Sequence, residues 1–353
     1  MTAGLSNKLF HRLLIWNCLV LSACIDDIRL NEVEGENFLI IEGLITNETE
    51  PYFIRLSNSE SNNTDNISGA NVRVIDQFGS TLNFFERSPG VYESDSLSAY
   101  QGRIGVTYTL SVTTIEGNEY ISSPELMPAV PPINRLSFET RNEVVIADAG
   151  NEVRRRRLRV FLDTQTNEND PTYLRWDYRG VYIVNRPNRC VVCPQYCWVP
   201  DEIASSEANV LGVEKTGLTP VENIAVGFIP SDFKLDSLYL FWVKQYSLNA
   251  RAFDFWKAID DQNNNSGTIF DPPPGFIQGN IINVNNPDER VLGFFGASAV
   301  SSQRLQIQNN QISPEFFDAV LFPECNGEML EDYCDDCTKF PNSQTEFPND
   351  VWQ

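Results

Sequence analysis

Between Phe38 and Ser123 apolar residues recur at every second position in short runs, with Gly, Asn, Ser or Pro separating one run from the next. A two-residue period puts alternate side chains on one face of an extended strand, whereas a helix needs a period near 3.6. FLIIEGLIT is a continuous apolar run of the kind buried on both faces. YFIRLS, ANVRVID, TLNFFE, GVYES, YTLSVTT and EYISS follow. Within them Ile54 and Leu56, Val72 and Val74, and Tyr108, Leu110 and Val112 share faces. About seven short strands in roughly 90 residues predict an immunoglobulin-like β-sandwich over residues 37–126, without the cysteine pair and buried tryptophan of a true immunoglobulin domain. The polar tract SNSESNNTDNISG, residues 57–69, reads as a loop between strands.

PELMPAVPPI, residues 124–133, holds four prolines and marks a boundary, beyond which residues 127–353 form a second β-rich domain. Its strands are INRLSFET, RLRVFLD, YLRWDYRGVYIV, ENIAVGFI and SLYLFWVKQYS. One helix, SLNARAFDFWKAIDDQ, is inserted among them, with Leu248, Ala252, Phe255 or Trp256, and Ile259 on one face. The tract from DPPPGFIQGN to QRLQI is the most distinctive in the chain. A proline turn feeds a short strand, a loop and a strand in which Gly293 and Gly296 predict a bulge or a close backbone approach.

Ahead of the strands lies a segment of another kind. Lys8, His11 and Arg12 precede a short apolar run ending Leu21-Ser22-Ala23-Cys24. The run is too short to span a bilayer, and a positive start with a small-residue ending reads as a signal peptide over residues 1–23. The ending resembles a bacterial lipobox, in which cleavage exposes the cysteine and its sulfur is acylated; an ordinary secretory signal is the plainer alternative. Lipidated Cys24 would be a tether, since several acyl chains hold far more firmly than one. Asp26 and Asp27 resemble the acidic export tag of surface lipoproteins in the Bacteroidetes, and residues 24–36 form an acidic spacer from the membrane.

The chain carries a net charge of -22, and removing Lys8 and Arg12 with the signal brings it to -24. That field repels nucleic acid, which excludes nucleic-acid binding. Its only histidine, His11, leaves with the signal. Ser-His-Asp and Cys-His catalysis and histidine metal sites go with it. An enzyme would need paired carboxylates, Ser-Lys or tyrosine chemistry, and no spacing singles out such a set. The expectation is a noncatalytic protein with no cofactor.

Six cysteines remain in two clusters: Cys190, Cys193 and Cys197, then Cys325, Cys334 and Cys337. An even count in an exported chain reads as three disulfides among 15 possible connectivities. The alternative is a four-thiolate zinc site on the two Cys-x-x-Cys pairs, which leaves two cysteines over. Either way the clusters meet in space and tie the tail to the loop RPNRCVVCPQYCWVP. Tyr196 and Trp198 on that loop are candidate partner contacts, or covers for the disulfides. Asp163, Asn167, Asn169 and Asp170 offer oxygens to calcium but lack the spacing of an EF-hand, so a polar turn competes. Arg154 to Arg157 and Arg159 read as a solvated strand face or as a docking patch for an anionic partner. Ser96 and Ser237, in Asp-Ser-Leu triplets, resemble a short O-glycosylation signal.

The lipobox, LIIEGLITNE, SGANVRVID, GRIGVTYTLSV…GNEYIS, GNI…ERVLGFFGAS…QRLQI and the cysteine-bearing tail ending PNDVW together resemble the Bacteroidetes lipoproteins of the domain-of-unknown-function 4249 family. The resemblance implies an outer-membrane lipoprotein facing the cell exterior. It also implies an accessory or ligand-binding partner of a TonB-dependent transporter, because genes of the family often stand beside those of such barrels. A stand-alone adhesive protein and a carboxylate-dependent hydrolase are the alternatives. No functional residue beyond Cys24 carries over.

Overall fold

The computed structural model describes residues 37–49, 51–60, 63–95, 100–146, 152–185, 194, 196–201, 209–263, 275–313 and 336–348. Cys24, Asp26, Asp27, Cys190, Cys193, Cys325, Cys334 and Ser96 lie outside them. The chain from Phe38 onward forms one compact unit.

The protein is mainly β. The first sheet takes β1 (Leu39–Thr46), β2 (Phe53–Glu60), β3 (Asn63–Asn66), β4 (Asn71–Asp76), β5 (Thr81–Ser88), β6 (Val91–Ser94), β7 (Thr107–Thr113), β8 (Glu119–Ser122) and β9 (Glu125–Leu126). Burial follows the two-residue period: β7 alternates strictly, with Tyr108, Leu110 and Val112 inside. These pack with Ile41, Ile54, Leu56, Val72 and Val74 in one core. The tract expected to be a loop at 57–69 is instead an antiparallel pair, Ser57 to Glu60 of β2 against β3. Backbone pairing carries it there without apolar side chains.

A second set of strands follows the prolines: β10 (Arg135–Ile146), β11 (Glu152–Gln165), β12 (Thr172–Asn185), β13 (Tyr196–Asp201), β14 (Val210–Val213), β15 (Pro220–Pro230) and β16 (Leu238–Leu248). β10, β11 and β15 make a three-stranded sheet. A five-stranded sheet runs β13-β12-β16-β20, with β14 beside β12 and β20 spanning Val300–Gln308. Leu158, Val160, Trp176, Tyr178, Val226 and Phe241 fill the core between them. Val130, in the proline segment, packs against this core and the first one. Buried Gln245 stitches the same segment down, donating to the Pro131 carbonyl at 2.7 Å and accepting from Trp176 Nε1 at 2.9 Å.

Between the sheets runs α1 (Ala250–Asn263), the expected helix. Asn249 caps it, its Oδ1 accepting from the Ala252 amide at 2.9 Å. Ala252 is buried, Phe255 stacks on Phe294 and Phe253 on Tyr173. Leu248, expected on the helix, ends β16 instead.

Chain organisation departs from two consecutive blocks. β17 (Ile281–Asn283), β18 (Val291–Leu292) and β19 (Phe295–Ser298) return to the first sheet. β19 lies parallel to β1, Gly43 opposite Phe295, and β18 extends the same edge. β17 adds to β8 at the opposite end of the sheet, whose path runs β17-β8-β7-β4-β5-β6-β2-β1-β18. The short connection between β17 and β18 brings the two ends of the path together, so the sheet curls toward closure. Gly293 makes this possible. At φ +86° its Cα lies against β1, where a Cβ would meet the Ile41 carbonyl at 2.2 Å. Gly296 is a milder case, its added Cβ falling 3.3 Å from Leu44 Cδ1.

Candidate binding site

Where the first sheet fails to close, a cleft of about 730 Å³ opens between β17 and β18. Its size suits a small ligand, and mouths of barrel-like sheets are common places for one. Phe276 and Ile282 give it an apolar wall, both more than half exposed. Arg251 reaches it from α1 and Arg290 from the β17–β18 connection.

A buried carboxylate sets the position of Arg251. Glu125, fully buried, accepts from Arg251 Nη1 at 2.7 Å, from Asn280 Nδ2 at 2.9 Å and from Asn249 Nδ2. Two segments distant from it in sequence, Asn249 to Arg251 and Asn280, converge on this one side chain and supply its donors. Asn280 also imitates a strand partner for Phe295, accepting from its amide at 2.9 Å and donating to its carbonyl at 2.7 Å. Arg251 Nη1 further reaches the Pro124 carbonyl at 3.5 Å. No described residue bonds its Nη2 or Nε. Arg290 lies over the Phe276 ring at 5.2 Å and has no hydrogen-bonded partner among the described residues. Phe276 in turn meets Phe38 edge to face at 5.1 Å.

Two acids share the cleft. Glu289 is committed to its own wall, accepting from Tyr120 at 3.0 Å and from Asn283 Nδ2 at 2.6 Å. Burial, reinforced by the Glu289 carboxylate, pushes the Tyr120 hydroxyl up to about 12. Asp288 is exposed at the rim.

The residues expected from sequence lie elsewhere. Cys197 and Cys337 form a disulfide with both sulfurs buried, joining the two clusters across 140 residues. With Cys337 so engaged, the four-thiolate zinc alternative loses one of its ligands. Trp198 points away from that bond and packs under the tail, 5.1 Å from Phe347, its backbone bridged to Gln344. Tyr196 remains half exposed beside it.

The calcium candidates do not assemble. Asp163 sits in β11 with one oxygen taken by Arg135 Nε at 2.7 Å and the other by the Asn223 amide at 2.8 Å. That amide, against the cost of burial and with Arg135, holds its carboxyl below the ordinary range. Asn167 donates to the Ala129 carbonyl, while Asn169 and Asp170 are exposed in the turn before β12. Among the described residues no three His, Cys, Asp or Glu side chains are placed to hold a metal ion.

The arginine run is the β11 half of a ribbon with β10. Arg157 lies over Phe228 at 4.1 Å, and Arg154 and Arg156 face Asn142 and Val144 across the pair. Ser237 is partly buried at the start of β16, its carbonyl accepting from Asn309.

A model of the family described as Domain of unknown function (DUF4249) matches residues 25–304. The chain belongs to that family. The DUF4249 match begins directly after Cys24, takes in the whole cleft and stops before Cys325, Cys334 and Cys337. The cysteine-bearing tail, counted above among the points of resemblance, therefore falls outside the matched span. No curated protein matches the chain.

Nothing in the sequence pattern singled out the cleft residues. Arg251, Arg290 and Glu125 stand in no motif or spacing that marks them. Only the unusual character of the tract around Phe276 drew notice to it.

Proposed function

We propose that this DUF4249 protein is a bacterial lipoprotein, acylated at Cys24 and carried to the outer surface of the outer membrane with Asp26 and Asp27 as export tag. There it acts without catalysis, as a ligand-binding or accessory partner of a TonB-dependent transporter. In this reading residues 37–126 are an immunoglobulin-like sandwich completed by strands of the second domain. The observation that carries the reading is the cleft at the open seam, together with a folded body that starts at Phe38, a short spacer beyond the lipobox cysteine. A spacer of 13 residues (24–36) reaches at most roughly 45 Å when extended, so the cleft beside Phe38 stays within reach of a membrane-embedded partner. The noncatalytic part draws support from the lack of histidine after His11 and from the engagement of Glu289 with Tyr120 and Asn283.

The test is mild detergent extraction of the native protein through a C-terminal tag, followed by mass spectrometry. A TonB-dependent barrel recovered in stoichiometric amount is the expected result. Recovery of the lipoprotein alone, under conditions that keep other outer-membrane complexes together, would overturn the partnership and favour a stand-alone adhesive role.

A further inference from the structure

The cleft has a combination of features that selects among ligands. Its two guanidiniums retain unengaged donors: Nη2 and Nε of Arg251, and all five N–H groups of Arg290, among the described residues. Arg251 is held at the cleft through Nη1 by a buried carboxylate, and its other donors have no partner among the described residues. Yet Asp288 and Glu289 stand beside the arginines, so the cleft as a whole is not strongly positive. A polyanion gains nothing there. A ligand with one negative end and an otherwise neutral body fits better.

The walls say what that body is. Among the described residues β17 pairs with β8 alone and β18 with β1 alone, so each turns toward the seam a backbone edge that no described strand pairs with. Unpaired strand edges recruit extended chains, whose main-chain groups complete the ladder while side chains enter adjoining pockets. Beside this edge Ile282 and Phe276 offer apolar surface, and Ile121, opposite Ile282 in the register, continues it.

We propose that the cleft takes the carboxyl-terminal end of an extended apolar peptide. Its terminal carboxylate lies on Arg251 and Arg290, its last side chain lies against Phe276 and Ile282, and its main chain runs along the free edge of β17. The assignment deepens the ligand-binding reading above and rests on it. Planar guanidiniums match a carboxylate in a two-pronged geometry that an ammonium does not reproduce, so Arg290 is the specificity-determining residue.

The experiment uses the full chain, purified in a nonionic detergent and immobilised by its tag. It is offered a pool of random octapeptides with free carboxyl termini and the same pool amidated. Captured peptides are counted by mass spectrometry. The expected result is enrichment of free acids over amides by on the order of tenfold, the ratio for losing one charge-assisted contact, with Leu, Ile, Val or Phe favoured at the last position. Arg290→Ala abolishes the preference, Arg290→Lys restores little of it, and Ile282→Glu removes the apolar bias; melting curves of all three match the unaltered protein, because both side chains are exposed.

Equal capture of acids and amides would overturn the proposal, as would an Arg290→Ala protein that still discriminates. Displacement of the pool by sodium octanoate as readily as by a captured peptide would overturn it too, because octanoate has no main chain to pair with β17. No barrel is present in this assay, so its outcome is independent of the co-purification result.

Discussion

Removing Glu125 is the sharpest perturbation the structure offers. Its carboxylate is fully buried and holds Asn249 at the start of α1, Arg251 two residues on, and Asn280 ahead of β17. Hydrogen bonds to a charged group contribute about 1.5–3 kcal/mol each, but not all of that is lost in Glu125→Ala. Asn280 Nδ2 keeps the Phe295 carbonyl at 2.7 Å, and Asn249 Nδ2 has the Leu126 carbonyl at 3.4 Å. Arg251 is half exposed, so water replaces much of what its ion pair supplied. What remains is a void in a polar site and a loosened junction. Broken buried networks of this kind cost about 3–5 kcal/mol, and with these substitutes the lower end, about 3 kcal/mol, is expected.

Urea denaturation measures this directly, as a lower midpoint at unchanged slope. Arg251→Ala should cost about 1 kcal/mol, because its partner keeps two donors. The double variant should fall short of the sum by up to about 1 kcal/mol, since both changes act on one contact. A Glu125→Ala cost below about 1 kcal/mol, or strict additivity with Arg251→Ala, would refute the claim that this carboxylate organises the junction.

Gly293→Ala should destabilise by at least about 2 kcal/mol, combining the left-handed backbone penalty with contact on the Ile41 carbonyl; a melting curve checks it. Gly296→Ala, with only a flexible Leu44 methyl to displace, should cost much less. Replacing Cys197 and Cys337 together by alanine should cost up to about 5 kcal/mol on the chain-entropy model for a loop of 140 residues, read from denaturation with and without reductant. At acid pH, Asp163 titrates near 3.8 in the unfolded chain but lower when folded, so its stabilisation is intact above about pH 5 and is lost as pH falls through the depressed value. Asp163→Asn should flatten that part of the stability–pH curve. At alkaline pH Tyr120 ionises near 10 when unfolded but at about 12 in the fold, so its contribution is whole below pH 10 and drains away toward 12. Ultraviolet titration of Tyr120→Phe against the unaltered protein isolates it.

The strands were legible where one face is buried and the other wet, because burial itself imposes the two-residue period. Tyr108, Leu110 and Val112 are the clearest case. β3 was not, since Asn63 to Asn66 contain no apolar residue and are extended only because β2 pairs with them. The sequence reads Phe295 to Ser298 as part of a glycine-punctuated strand, but it does not show that its partner is β1, because backbone hydrogen bonds carry no address. Gly293 could be read as a close approach from its setting alone, whereas Gly296 looked equivalent and is not. The cleft was hidden for a similar reason. An arginine following two acids, as in Asp288-Glu289-Arg290, has the signature of a solvated loop, and only the fold brings it to one cleft with Arg251.

The parallel pairing of β1 with β19 has a consequence for how the molecule is made. Gly43 leaves the ribosome, and crosses any export channel, long before its partner Phe295. Until then β1 has a bare edge on the side that β18 and β19 later occupy, and a bare apolar edge invites pairing with other chains. Closing so long a loop is slow, and the partly built sheet is the species most exposed to aggregation. A chain cut short before Ile281 should therefore be trapped as an insoluble intermediate, although it contains every strand from β1 to β9. Holding the chain unfolded until its last fifth has arrived is then a requirement that this topology places on the cell's chaperones.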